Sequence, residues 1–275
     1  MARVNHIQTN FSAGELTPRL EGRVDFARYH NGVAEMVNMT VLPHGGASKR
    51  PGFRHVAAAL SDATASRLIA FEFSVVQAYV LELGDHAMRF YRDGGRIVDG
   101  GLPVEIATPW GGDEIAAVQT AQSADVLYMV HPDHAPMKLQ RTSHVDWTLE
   151  AIAFADGPWL EDNAMPTTLT PSATIGSVTV TASATTGING SAGFTSGDVG
   201  RLLSLQHGGT RGWGRVTAVG GVTSVTVSVE QAFGGTAATA VWRLGLWSGA
   251  TGYPAAVSFY EQRLVFAGTR DFPQR

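Results

Sequence analysis

The sequence predicts a mainly β protein: partial β-propeller-like strand meanders with an N-terminal arm and an inserted small β-barrel or sandwich. Three observations predict it. Short segments rich in β-branched, aromatic and apolar residues begin at Arg67, separated by turn signals at about 8–12-residue intervals. Glycine fills 32 of 275 positions while charged residues make up only 16%. A strand–turn–strand phrase also recurs some forty residues on, near the propeller-blade period of about 40–50 residues.

Residues 1–55 read as a docking arm. Ser12 with Glu15 three residues on could cap a helix, but Gly14 and Pro18 cut it short. From Arg23 to Met39, Val24, Ala27, Tyr29, Val33, Met36 and Val37 form a partial helical stripe, which Gly22 and Gly32 weaken. Pro43-His44-Gly45-Gly46 and Lys49-Arg50-Pro51-Gly52 are consecutive turn signals. So few apolar residues cannot build a core alone, and the arm is expected to pack on a partner. Phe11, Leu16 and Leu20 are the expected apolar anchors of that interface, with Arg19 and Arg23 as charged contacts.

Residues 56–165 form the first part of the propeller-like domain. Leu68–Phe73 and Ala78–Leu83 are strands, Gly84-Asp85-His86 a turn, Met88–Arg92 a strand and Asp93-Gly94-Gly95 a second turn before Arg96-Ile97-Val98. The phrase returns as a strand at Ala124–His131, a turn at Pro132-Asp133-His134, and strands at Met137–Arg141 and Trp147–Ile152. Both copies carry Asp-His in the turn and place a methionine at or near the start of the next strand. Pro158, Asn163 and Pro166 mark a linker by composition. Residues 166–246 are the inserted domain, poor in charge and dense in Gly, Ser, Thr and Val. Ser177–Ala182 and Ser224–Val229 alternate with period two, and Gly212–Val219 lies between them in the chain. The first style resumes over residues 247–275, with strands at Ala256–Tyr260 and Arg263–Gly268, and that part of the domain is incomplete.

Composition narrows the function classes. With no cysteine, disulfides, thiolate metal sites and cysteine nucleophiles are excluded. No run approaches about 20 apolar residues, so no membrane-spanning segment is expected, and no secretory signal pattern opens the chain. Charge is uneven: seven basic against four acidic residues in 1–60, six against sixteen in 61–165, seven against four in 166–275. The acidic middle repels phosphate, which argues against a tight nucleic-acid grip there. Of the basic residues only Lys49 and Lys138 are lysine, and arginine suits carboxylate pairing at packed interfaces.

Candidate chemistry is thin. His131-Pro132-Asp133-His134 has two imidazoles and a carboxylate in a turn, but further metal ligands would have to come from afar and only His144 is near in sequence, so a polar hairpin turn is the stronger reading. Asp113-Glu114 with Asp125 could supply paired carboxylates for glycoside hydrolysis, a pairing that sixteen acidic residues produce easily by accident. Ser12 lacks the Gly-x-Ser-x-Gly setting of an activated serine, and Gly208-Gly209-Thr210-Arg211-Gly212 lacks the Gly-Lys-Ser/Thr ending of a phosphate loop. Trp110, Trp147, Trp159 and Trp213 read as core or interface residues. No catalytic, cofactor or metal residue is therefore assigned, and no enzyme activity or cofactor is expected.

The phrase Asn10-Phe11-Ser12-Ala13-Gly14-Glu15-Leu16-Thr17-Pro18-Arg19-Leu20, followed by Gly22-Arg23-Val24-Asp25 and Arg28-Tyr29, continues through Asn38–Gly46 and Arg50-Pro51-Gly52. It resembles the opening of bacteriophage tail nozzle, tail tubular protein B or stabilisation proteins. Gly252–Gly268, with Ser258-Phe259-Tyr260-Glu261-Gln262-Arg263-Leu264 at its centre, resembles a second hallmark of that family. The 171–245 stretch is similar to a β-module often likened to a domain of ubiquitin-activating enzymes, but without cysteine no thioester chemistry follows. The resemblance implies a structural virion protein. Such proteins form a ring, commonly six-fold, below the portal and adaptor of a short-tailed phage, and enclose the channel through which DNA leaves without sequence-specific binding. Partners would be the adaptor, neighbouring tail subunits and further copies of the chain, assembled in the host bacterial cytoplasm. Family chains are typically longer, so this is expected to be a C-terminally short version, truncated or completed by a second polypeptide. A carbohydrate-binding or receptor-binding tail module is the alternative reading, with Trp213 as its aromatic contact.

Overall fold

The computed structural model describes residues 7–74 and 76–274. The chain divides into two compact units, Met1–His55 and Val56–Arg275. Among the described residues helical structure is confined to four single 3-10 turns, and the protein is mainly β.

In the first unit, β1 (Gly14–Glu15) pairs in parallel with β2 (Gly32–Val33), and β3 (Met39–Val41) pairs antiparallel with β4 (Ala47–Lys49). The expected helix over 23–39 does not form. The segment contains a 3-10 turn at Tyr29–Asn31 and then β2. The physical reason lies in its two glycines and its stripe. Gly22 sits at φ +75°, and Gly32 lies against Leu16, where a Cβ would come within 2.4 Å of the leucine side chain. Val24 and Val37 remain 65% and 63% exposed, so the stripe has no surface to bury against. Ser12 and Glu15 do not cap a helix either. The Ser12 amide donates to Asn10 Oδ1, and Glu15 reaches across to accept the Met36 amide at 3.0 Å.

The second unit opens with a meander. β5 (Arg67–Ser74), β6 (Gln77–Gly84) and β7 (Ala87–Arg92) are antiparallel neighbours. β8 (Gly95–Arg96) pairs with one end of β7, and β9 (Val98–Asp99) and β10 (Leu102–Pro103) form a short hairpin. β11 (Glu105–Ala107) then pairs with the other end of β7. The β7–β8 turn is Asp93-Gly94, both at positive φ, as a two-residue hairpin of the favoured hand requires. A second meander runs β12 (Gln119–Ser123), β13 (Val126–His131), β14 (His134–Arg141) and β15 (Trp147–Ala151). The strand expected at Ala124–His131 starts two residues later, because Ala124 adopts φ +48° and turns the chain back onto β12.

Period-two alternation turns Ile69, Phe71, Tyr79, Leu81, Leu83, Met88 and Phe90 inward from the first meander and Leu127, Met129, Leu139 and Trp147 from the second, into one core. Trp147 is its centre: it stacks on Phe90 at 4.3 Å and meets Phe71 and Tyr79 edge-on at 5.1 and 5.3 Å. Such aromatic pairs add about 0.5–1.5 kcal/mol each beyond burial. Glu82, on the opposite face of β6, is buried yet satisfied: it accepts from Tyr91 Oη at 2.5 Å and from the Leu60 amide at 2.7 Å. Burial, and then that contact, push the Tyr91 hydroxyl up to about 12.

A six-stranded antiparallel sheet follows, ordered β16-β17-β20-β19-β18-β21. Its strands are β16 (Leu169–Pro171), β17 (Gly176–Ala182), β18 (Leu202–His207), β19 (Thr210–Gly221), β20 (Ser224–Gln231) and β21 (Trp242–Leu244). The alternating valines Val178, Val180, Val225 and Val227 point inward with Leu203, Leu205, Val216 and Trp242 and form a core separate from the first. Gly212 and Gly214 lie where β19 pairs irregularly with β20 and the two backbones come close. A Cβ on Gly212 would meet Ala232 O at 2.2 Å, and one on Gly214 would meet Ser228 O at 2.4 Å. The composition-based linker is ordered in part by this sheet, since Leu160 and Asn163 donate their amides to Leu244 and Trp242. One ion pair is fully enclosed. Arg201 donates to Asp198 Oδ1, Asn189 Oδ1 and Gly245 O, each at 2.7 Å, so three of its five N–H groups meet protein acceptors. The hairpin of β22 (Ala256–Tyr260) and β23 (Arg263–Ala267) ends the described strands. Its turn places Glu261 and Gln262 at φ +46° and +63°, a conformation that favours glycine or asparagine.

Candidate functional site

The first unit holds all five residues expected at a partner interface. Two of them, Leu16 and Leu20, line an open cleft of about 660 Å³ together with Thr17, Tyr29 and Val33. Leu16 is half-buried because its amide bonds Val33 O at 3.0 Å and its side chain lies over Gly32. Leu20 closes the 3-10 turn Pro18–Leu20. Phe11 is half-buried and tied through its amide to Gly45 O at 2.6 Å, where Gly45 takes φ +104°. Arg19 is exposed. Arg23 is also exposed and forms a two-pronged pair with Asp25 at 2.8 and 2.7 Å, which holds the Asp25 carboxyl below its usual range. Leu16 and Phe11 are thus braces of the unit's own framework, while Arg19 and Arg23 face solvent. Gly45 is the one buried residue among those described in this unit. Phe53, covered on one face by the Arg50 guanidinium at 4.6 Å, is 89% exposed.

The second unit joins to His131 and His134, which stood out in the sequence, a third side chain that spacing did not reveal. His131 ends β13 and His134 begins β14, and the two are register partners across the hairpin, ring centroids 5.2 Å apart. Glu114 reaches them from the turn Gly111–Ala117, and its Oε2 lies 2.9 Å from His134 Nε2. One ligand-capable atom from each of Glu114, His131 and His134 lies within 4.8 Å of the others. The Gly111 amide also donates to Glu114 Oε2 at 2.8 Å, and together with His134 this holds the Glu114 carboxyl below its usual range. His131 is buried, which pushes its imidazole down toward the neutral form, and its Nδ1 accepts the Asp133 amide at 3.2 Å. The Glu114 loop is itself anchored on the other Asp-His turn: Gly112 donates to Asp85 Oδ1 at 2.9 Å. Both copies of the repeated phrase therefore meet the same loop.

Asp133, the carboxylate suggested by the sequence, turns away toward Arg270 at 3.3 Å. His144 is engaged elsewhere, by Tyr79 Oη at 2.5 Å and by Arg92. Nor do Asp113-Glu114 and Asp125 act as a pair, since Glu114 serves His134 while Asp125 binds Arg141 at 2.7 Å. Trp213 is half-buried on β19, flanked in the chain by the inward glycines. Among the described residues no helix is long and apolar enough to cross a membrane. No protein-family model matches the chain, and no match is found among curated proteins.

Proposed function

We propose that the chain is a structural subunit of a short-tailed phage tail, a nozzle or tubular-ring protein that binds adaptor and neighbouring tail subunits and walls part of the genome-ejection channel. The observation that carries this reading is the imbalance of the first unit. Backbone hydrogen bonds tie it together between Phe11 and Arg50, yet among its described residues it buries one glycine and leaves Val24, Val37 and Phe53 in water. A segment ordered in that way gains its apolar burial from another molecule. The motifs that resemble those of tail nozzle proteins lie in this unit and around the β22–β23 hairpin, whose Phe259, Tyr260 and Val265 are likewise exposed. Interface chemistry of this kind needs no catalytic constellation. The acidic surplus of 61–165 suits a channel wall that must not retain DNA.

Sedimentation velocity on the full chain and on a variant lacking residues 2–22 tests the proposal. The full chain is expected to self-associate into a closed ring and the deletion variant to stay monomeric. Equal sedimentation of the two would reject it.

A further inference from the structure

We propose that Glu114, His131 and His134 form a binding site for a first-row divalent metal ion, with zinc as the representative. Two separate pieces of chain deliver two imidazoles and one carboxylate to one point: the β13–β14 hairpin, with His131 and His134, and the Gly111–Ala117 turn, with Glu114. Two nitrogens and one oxygen suit zinc and its first-row neighbours, rather than calcium or magnesium, which prefer all-oxygen shells. Tetrahedral donors about 2.1 Å from an ion stand about 3.4 Å apart, so the hydrogen-bonded His134–Glu114 pair, 2.9 Å apart, needs to open by only about half an ångström for an ion to take the place of the shared proton. Water would complete the coordination, because His134 and Glu114 remain partly open to solvent while His131 closes the inner side.

The surroundings fit a cation. Asp113 adds negative charge close to His131 while Asp133 is paired with Arg270, and the Gly111 amide steadies the Glu114 carboxylate as an outer partner does for a metal ligand. The consequence is mechanical: the ion would lock the β13–β14 hairpin, part of the second meander, to a loop anchored on the β6–β7 turn of the first. This does not depend on the phage reading.

The test uses the full chain, stripped with chelator and titrated with zinc by calorimetry, and with cobalt by visible absorption. The expected result is one ion per chain, a rise in melting temperature on zinc addition, and cobalt d–d bands that zinc abolishes. Glu114→Gln and His134→Gln each lower zinc affinity by more than about a hundredfold, since losing only an outer partner of such ligands costs about 10–100-fold. His44→Ala, in the other unit, leaves it unchanged. Circular dichroism confirms that each variant retains its strands, and the cobalt spectrum of the unaltered chain is independent of variant folding. Absence of saturable zinc or cobalt binding by the unaltered chain overturns the proposal, as does wild-type affinity in both Gln variants.

Discussion

The first unit and the six-stranded sheet solve the same problem in opposite ways. The sheet spends its valines on alternating inward positions and lets Gly212 and Gly214 bring backbones together, so that Val178, Val180, Val225 and Val227 lose all contact with water. Fully burying each such side chain contributes about 1.5–3 kcal/mol. The first unit spends its glycines and prolines on turns, and its apolar residues stay at the surface. Both are ordered. Only the sheet stabilises itself through a core, and that contrast is what supports the proposal that a partner completes the surface of the first unit.

The largest effects are expected where burial is complete. Asp198→Ala leaves the Arg201 guanidinium enclosed and unpaired and should cost about 3–5 kcal/mol in urea denaturation. Trp147→Ala removes the centre of the other core and should cost a similar amount, about 3–5 kcal/mol. Gly214→Ala forces a methyl group against the Ser228 carbonyl, and a loss of about 1–3 kcal/mol in the same measurement would show that the glycine is there for close approach. Gln262→Gly relieves a left-handed residue in the β22–β23 turn and should stabilise by about 1 kcal/mol in calorimetry. At the far end, Phe53→Ala should change the stability of the isolated chain by no more than about 0.5 kcal/mol. The same substitution should weaken assembly, seen as a lower oligomer mass at fixed concentration. A loss of several kcal/mol in the monomer would break the comparison.

Much of the strand pattern was legible in the residues, because alternation and turn chemistry act locally. Asp93-Gly94 announced its hairpin, and Ser177–Ala182 its strand. β12 was not foreseen, since Gln119–Ser123 carries no apolar alternation and its turn uses Ala124 at positive φ, where no glycine or asparagine signals it. β18 hid in Leu202-Leu203-Ser204-Leu205, where the adjacent leucines break the alternation and all four residues are buried. The helix expected over 23–39 failed because a stripe needs a surface to face. Of the histidine cluster, His131 and His134 stood out by spacing. Glu114 could be linked to them only through the pairing of two meanders, a long-range event that no short window encodes. The five interface residues were chosen by type within an arm too poor in apolar residues to build a core, and the structure adds a distinction among them: Leu16 is held over Gly32 and Arg23 by Asp25.

The central claim is that the first unit borrows its burial from a neighbour. Hydrogen–deuterium exchange, followed by peptide on the free chain and on its assembled form, measures this directly. The account predicts that residues 169–244 are protected in both states, while residues 7–55 exchange fast in the free chain and slow on assembly. Strong protection of 7–55 in the free monomer, unchanged by assembly, would contradict it.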